Sequence, residues 1–172
     1  MTEATRRATQ TLWVNDPVFA THDTGEGHPE SIGRHVAVTR ALAAKEFQGG
    51  LWSIKPPASD DETISRAHKP RYVALVQREI QAGLGMLSTG DTILCKESLE
   101  AARRACGAVC LAVDEVVARR SANAFCTVRP PGHHATPDRG MGFCIFNNIA
   151  VAARHAQAQH KIQKVLIADF DV

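Results

Sequence analysis

Residues 124–134 read AFCTVRPPGHH: a short β-branched and aromatic run, two prolines that fix an extended backbone, a glycine that lets the chain turn, and two adjacent imidazoles. The run AFCTVRP (residues 124–130) is expected to be a strand, so His133 and His134 fall just past its carboxyl end. Three further runs have the same character: TLWVN (11–15), LWSIKP (51–56) and KVLIADFDV (164–172). Segments of helical period separate them, and such alternation points to an α/β protein with a mostly parallel sheet.

The intervening segments supply the helices. Ile32, Val36, Thr39, Ala43 and Phe47 repeat at helical spacing, with Pro29 and Glu30 suited to a first turn and Gly49 and Gly50 to a stop. A second helix is expected after Pro70, carrying Tyr72, Leu75, Val76 and Ile80. A third spans 98–120, where Leu99, Ala102, Cys106, Val109, Val113 and Val116 step by three and four and Arg119 and Arg120 suit the negative end of the dipole. A fourth covers about residues 147–158, packing Ile149, Ala152, Ala153 and Ala156, with Asn147 or Asn148 as its cap.

Composition narrows the functional classes. At 172 residues one hydrophobic core is expected, and 44% hydrophobic with 22% charged residues exclude whole-chain disorder. A net charge of +2 makes no electrostatic case for direct nucleic-acid binding. The longest uncharged apolar stretch, 105–113, is far short of the roughly 20 residues of a membrane-spanning helix, so no membrane association is expected. The start, MTEATRRATQ, lacks an apolar run of the secretory kind; residues 1–10 read as a flexible polar arm and residues 11–172 as part of one domain, with a cytoplasmic location. Five scattered cysteines without a CxxC pair fit a reduced compartment and read as buried small hydrophobes.

Two doublets carry the chemistry. In VLIADFDV the side chains of Asp169 and Asp171 share one strand face because strand side chains alternate, their Cα atoms roughly 6.6 Å apart at about 3.3 Å per residue. Two anions at a buried strand end need a cation, strong donors or shifted pKa values. Ligands of parallel sheets bind outside the carboxyl ends of the strands, which places the His and Asp pairs along one edge. Such a set suits metal-assisted hydrolysis: an ion polarises a carbonyl, an imidazole takes the proton of water, and a carboxylate fixes the imidazole tautomer. The bland alternatives, a solvated His doublet and a strand end turning into water, stay open for each pair alone. The chain has no HExxH, GxGxxG, P-loop or GxSxG motif.

RPPGHHATPDRGMGFCIFNNIAVAA (129–153) followed by VLIADFDV resembles the core of the zinc-dependent histone deacetylase superfamily, in a form closer to class II deacetylases and to bacterial deacetylase-like and acetylpolyamine amidohydrolases than to class I. HDTGEGHPESIGR (22–34), HKPRYV (68–73) and GDT (90–92) resemble it at matching relative positions. The resemblance implies the three-layer arginase/deacetylase-like fold with a mostly parallel sheet, here its first half. It implies His133 and His134 as the catalytic histidine pair, His134 as general base and His133 assisted through Asp169. It implies Asp171 as a zinc ligand, Asp169 with main-chain oxygens as a potassium site, and Gly142, Phe143 and Asp91 as substrate-binding residues of the tunnel wall and rim. The family's DxD is followed by a zinc-binding histidine, and further ligands and the oxyanion-stabilising residue lie later still. The expectation is therefore an N-terminal part of an amidohydrolase acting on acetylated lysine or small acetylated amines, inactive as 172 residues alone. The alternative is a non-catalytic remnant that pairs with another chain, and a homo-oligomer stays open.

Overall fold

The computed structural model describes residues 2–171. Its elements are helix α1 (Glu3–Arg7), strand β1 (Thr11–Val14), α2 (Ile32–Leu42), β2 (Leu51–Ile54), α3 (Asp61–Ser65), α4 (Pro70–Gln81), α5 (Ser98–Val117), β3 (Asn123–Cys126) and α6 (Asn148–His160). The three strands form a parallel sheet in the order β2-β1-β3, with Thr11 opposite Leu51 on one side and Asn123 on the other.

Period-two alternation decides which strand face is dry. Leu12 and Val14 of the central strand are wholly buried, while Thr11 and Trp13 are partly exposed. Leu12 and Val14 pack with Phe19 against Ala105, Ala108 and Ala112 of α5, the three larger side chains contributing about 1.5–3 kcal/mol each. The small residues of α5 let backbones approach closely: a Cβ on Gly107 would stand 1.9 Å from the carbonyl oxygen of Pro57. A second cluster joins Tyr72, Val73 and Val76 of α4 to Cys106, Ile145 and Phe146, and the Tyr72 hydroxyl donates to the Ile145 carbonyl at 2.7 Å.

Several expected elements differ from the observed ones. The stretch 164–171 forms no strand among the described residues, and Val172 lies outside them. A strand is sustained by a hydrogen-bonded neighbour; this stretch has none in the three-stranded sheet, and Leu166 and Phe170 are 92% and 94% exposed. The strand expected at 124–130 ends at Cys126, although the Thr127 amide still donates to the Val14 carbonyl. The first long helix begins after Pro29 and Glu30 and stops at Leu42; Lys45–Phe47 forms a separate 3-10 turn, and Val36 and Phe47 are exposed. Glu30 is drawn instead into a buried ion pair, described below. Helix α5 ends at Val117, and Arg119 adopts a left-handed φ of 57°. Ile149 faces outward.

The polar segment at the start holds α1, capped by the Thr2 hydroxyl, with the Arg7 guanidinium over the Trp52 ring; Met1 lies outside the described residues. Helix α3 was not foreseen, although Asp60 marks it: its carboxylate accepts from the Thr63 amide at 2.8 Å. All five cysteines are free; Cys106, Cys110 and Cys144 are buried, and Cys95 and Cys126 are partly exposed.

Candidate active site

The site starts where β3 ends. Arg129, next to a cis peptide with Pro130, lies in the interior against Glu30 in a two-pronged pair, Nε to Oε1 at 2.6 Å and Nη2 to Oε2 at 2.8 Å, and Nη1 donates to the Phe19 carbonyl at 3.0 Å. This pair fixes the approach to Pro131 and Gly132. Gly132 passes so close to the start of α6 that a Cβ would stand 2.5 Å from the Asn148 nitrogen. The chain then presents His133 and His134, ring centroids 4.1 Å apart.

Both aspartates of the DFD segment reach His133. Nδ1 of His133 lies 3.0 Å from Asp169 Oδ2, and Nε2 lies 3.3 Å from Asp171 Oδ2. The two carboxylates thus converge on one imidazole, although the segment forms no strand that would enforce a shared face. The Asp171 amide donates to Asp169 Oδ1 at 3.2 Å; that bond and the His133 bond hold the Asp169 carboxyl below its ordinary range.

The 141–143 turn closes on the other imidazole. Gly142 has φ 55°, and a Cβ there would lie 2.4 Å from Cδ2 of His134, so only glycine fits. Asp91 Oδ1 accepts from the Gly142 amide at 2.7 Å, and Phe143 sets its ring edge-on to His28 with centroids 4.5 Å apart. Asp91, Gly142 and Phe143 therefore belong to one turn beside His134. A cavity of about 1030 Å³ opens here, bounded by His133, His134, Gly142, Phe143 and Asp171, and continues along the apolar side of α5 past Val109, Val113 and Val116. Those valines, expected in the core, line this cavity.

Ligand atoms of His133, His134 and Asp171 all lie within 4.8 Å of one another. The Asp171 carboxylate is a donor that suits zinc, so it fits that ion as one member of a ligand set, with the two imidazoles beside it. A second grouping, Asp114 with His155 and His160, has the same composition, and the sequence reading missed it because Asp114 lies on α5 and both histidines on α6. One oxygen, Asp114 Oδ1, meets Nε2 of His155 at 2.7 Å and Nε2 of His160 at 2.6 Å. Burial opposes ionisation of Asp114, yet these bonds hold its carboxyl below the usual range. Arg66 Nη1 stands 3.1 Å from Nδ1 of His155. A guanidinium can only donate, so Nδ1 accepts and Nε2 carries the proton given to Asp114. This cluster is a hydrogen-bonded tie between α5 and α6.

Sequence reasoning did not assign Glu30, Arg129, His28 or His22. His22 is buried, its Nδ1 2.8 Å from the Ser98 hydroxyl and its Nε2 3.9 Å from Glu30. Burial, with the Arg129 charge adding to it, pushes its pKa down to about 4. The signal for the Glu30 and Arg129 pair was two opposite charges in otherwise recognisable motifs, but only the fold brings them together.

The fold and this constellation define a histone deacetylase-type α/β domain. The family model described as the histone deacetylase domain matches residues 28–172, and the chain belongs to that family. It is 36% identical over 159 residues to a probable deacetylase of Methanothermobacter thermautotrophicus, covering 92% of this chain and 46% of that protein. It is 36% identical over 160 residues to the histone deacetylase-like amidohydrolase of Pseudomonas aeruginosa (93% and 40%). To the polyamine deacetylase HDAC10 of Rattus norvegicus it is 37% identical over 170 residues (96% and 27%). The solved structure of the HDA15 HD domain superposes with a TM-score of 0.81 at 31% identity, covering 88% of this chain and 44% of that one. The chain thus spans about half or less of the length of these relatives. Among the described residues no helix is long and apolar enough to cross a membrane.

Proposed function

We propose that the chain carries the histidine side of a zinc-dependent amidohydrolase site that removes acetyl groups from acetyl-lysine or small acetylated amines. The observation that supports this is the grip of Asp169 and Asp171 on His133, with His134 beside it. His134 is the general base, which takes the proton of the attacking water. Asp169 accepts from Nδ1 of His133, leaving Nε2 turned to the centre of the site and stabilising positive charge there. Asp171 would hold zinc, whose chemistry when bound is to polarise the amide carbonyl and acidify water; Asp169 would also face a potassium ion. Phe143 and Gly142 form a wall for the methylene chain of the substrate, and Asp91 stands at the rim. The compartment proposed is the cytoplasm, and the proposed partners are acetylated amine substrates rather than nucleic acid.

Zinc stoichiometry and hydrolysis of an acetyl-lysine peptide and an acetylated polyamine by the 172-residue chain are expected to show weak metal retention and no turnover, because the chain offers only part of a ligand set. When the chain replaces its matching region in the Pseudomonas aeruginosa relative, turnover is expected, and His134→Ala should lower kcat/KM by about 10²–10⁴. A His134→Ala chimera as active as its parent removes His134 from the mechanism. A second reading, pairing with another chain, is favoured by the exposure of Leu166 and Phe170; sedimentation of the purified chain as a monomer at micromolar concentration refutes it.

A further inference from the structure

Every polar atom of Asn147 that can hold a neighbour does so. Its side-chain nitrogen donates to the carbonyls of His133 at 3.3 Å and Ala135 at 2.9 Å, and its side-chain oxygen accepts from the Ala150 amide at 3.0 Å. Its backbone N–H donates to Nε2 of His68 at 2.8 Å. The two carbonyls flank His134 in sequence, so one amide side chain holds the backbone on both sides of one imidazole. Gly142 stands against that imidazole, leaving no room for a Cβ.

His68 anchors this arrangement. It is buried against the rings of Tyr72 and Phe146, with centroids 5.4 and 5.5 Å away. Because Nε2 accepts a peptide N–H, the ring proton sits on Nδ1. Nδ1 faces the carbonyls of Thr136 and Pro137, although it completes no hydrogen bond of normal geometry with either. Burial lowers the His68 pKa, which favours the uncharged ring that accepts at Nε2. The Lys69 amide, next in the chain, donates to the Pro137 carbonyl at 2.7 Å, so residues 68 and 69 together stitch the turn after the His pair to the start of α6.

We infer that Asn147, held by His68, is a positioning residue for His134: it fixes the backbone from which the imidazole projects, while touching no reacting atom. The inference deepens the proposed function and rests on its assignment of His134, but its test reads the ring itself. In histidine-labelled 172-residue chain at one neutral pH, the ring nitrogen and carbon NMR shifts of His134 are expected to report a single orientation and tautomer. Asn147→Asp keeps the shape and an oxygen for the Ala150 amide but removes both donated hydrogens; Asn147→Ser keeps a capping oxygen at smaller size. In both, the His134 signals should collapse to those of a freely rotating imidazole while the helical circular dichroism is retained. His68→Gln, which keeps an acceptor toward Asn147, should preserve the parent His134 signals, and His68→Leu should lose them.

A merely structural role would lower the thermal midpoint in these variants and leave the His134 signals in place. His134 shifts unchanged in Asn147→Ser, or His68→Gln as disruptive as His68→Leu, overturn the inference. Collapse of the His134 signals in Asn147→Ser, beside a His134→Ala chimera of full activity, sinks the catalytic assignment alone and leaves the positioning intact.

Discussion

Replacing Glu30 by glutamine isolates the electrostatics behind the His pair. The side chains of Arg129 and Glu30 are only 4% and 5% exposed, so the variant leaves a buried guanidinium facing a neutral amide. Removing one partner of a buried pair costs about 3–5 kcal/mol. At about 2–4 °C per kcal/mol for a chain of this size, the thermal midpoint should fall by roughly 10 °C. Urea unfolding followed by circular dichroism measures the cost, with the slope of the transition checking that the unfolded state is unchanged. Glu30→Leu with Arg129→Met removes both charges and should regain all but about 1 kcal/mol, the remainder being the donor lost to the Phe19 carbonyl. If Glu30→Gln unfolds within 1 kcal/mol of the parent, or the double variant is weaker than the single, the interior is not dry enough there for this reasoning to hold.

Acid should destabilise the chain through His22. Its folded pKa of about 4 lies below the ordinary 6.5, so between those values the unfolded state binds the proton and the folded state does not. Stability then falls as pH drops from 6.5 toward 4, by about 3 kcal/mol, and His22→Gln should flatten that part of a stability-against-pH curve; an unchanged slope contradicts the assignment. Gly142→Ala should destabilise by more than about 1 kcal/mol, since it combines positive φ with a collision against the His134 ring. The His134 ring signals should shift in that variant while the His133 signals stay put, and a silent substitution would show that the turn has slack.

Local pattern carried most of the fold. Pro70 at a first turn, the Asn147 cap and the β-branched and aromatic run TLWVN are signals written within a few residues, and each lies where the chain folds as read. The stretch 164–171 misled because apolar content shows that a segment is able to pair, whereas pairing itself depends on a neighbour elsewhere. Val109, Val113 and Val116 follow a helical period correctly, but period does not distinguish a core from a cavity wall. The proximity of the two doublets was expected from two strand ends on one edge together with the family resemblance; the doublets do meet, but the acidic one comes from a stretch that forms no strand. The ties behind them were illegible for a different reason: Glu30 and Arg129 are 99 positions apart, and Asn147 and His68 are 79 apart, distances at which no periodicity operates.

The proton placement on His155 makes that ring a one-way part. Turned over, it would aim a bare nitrogen at the Asp114 carboxylate and an N–H at the Arg66 guanidinium, setting lone pair against lone pair and donor against donor. The neutral imidazole therefore works as an insulated spacer between a cation and an anion, keeping them apart while each feels the other through it. A glutamine of similar reach could copy that polarity, whereas a lysine or a carboxylate could not.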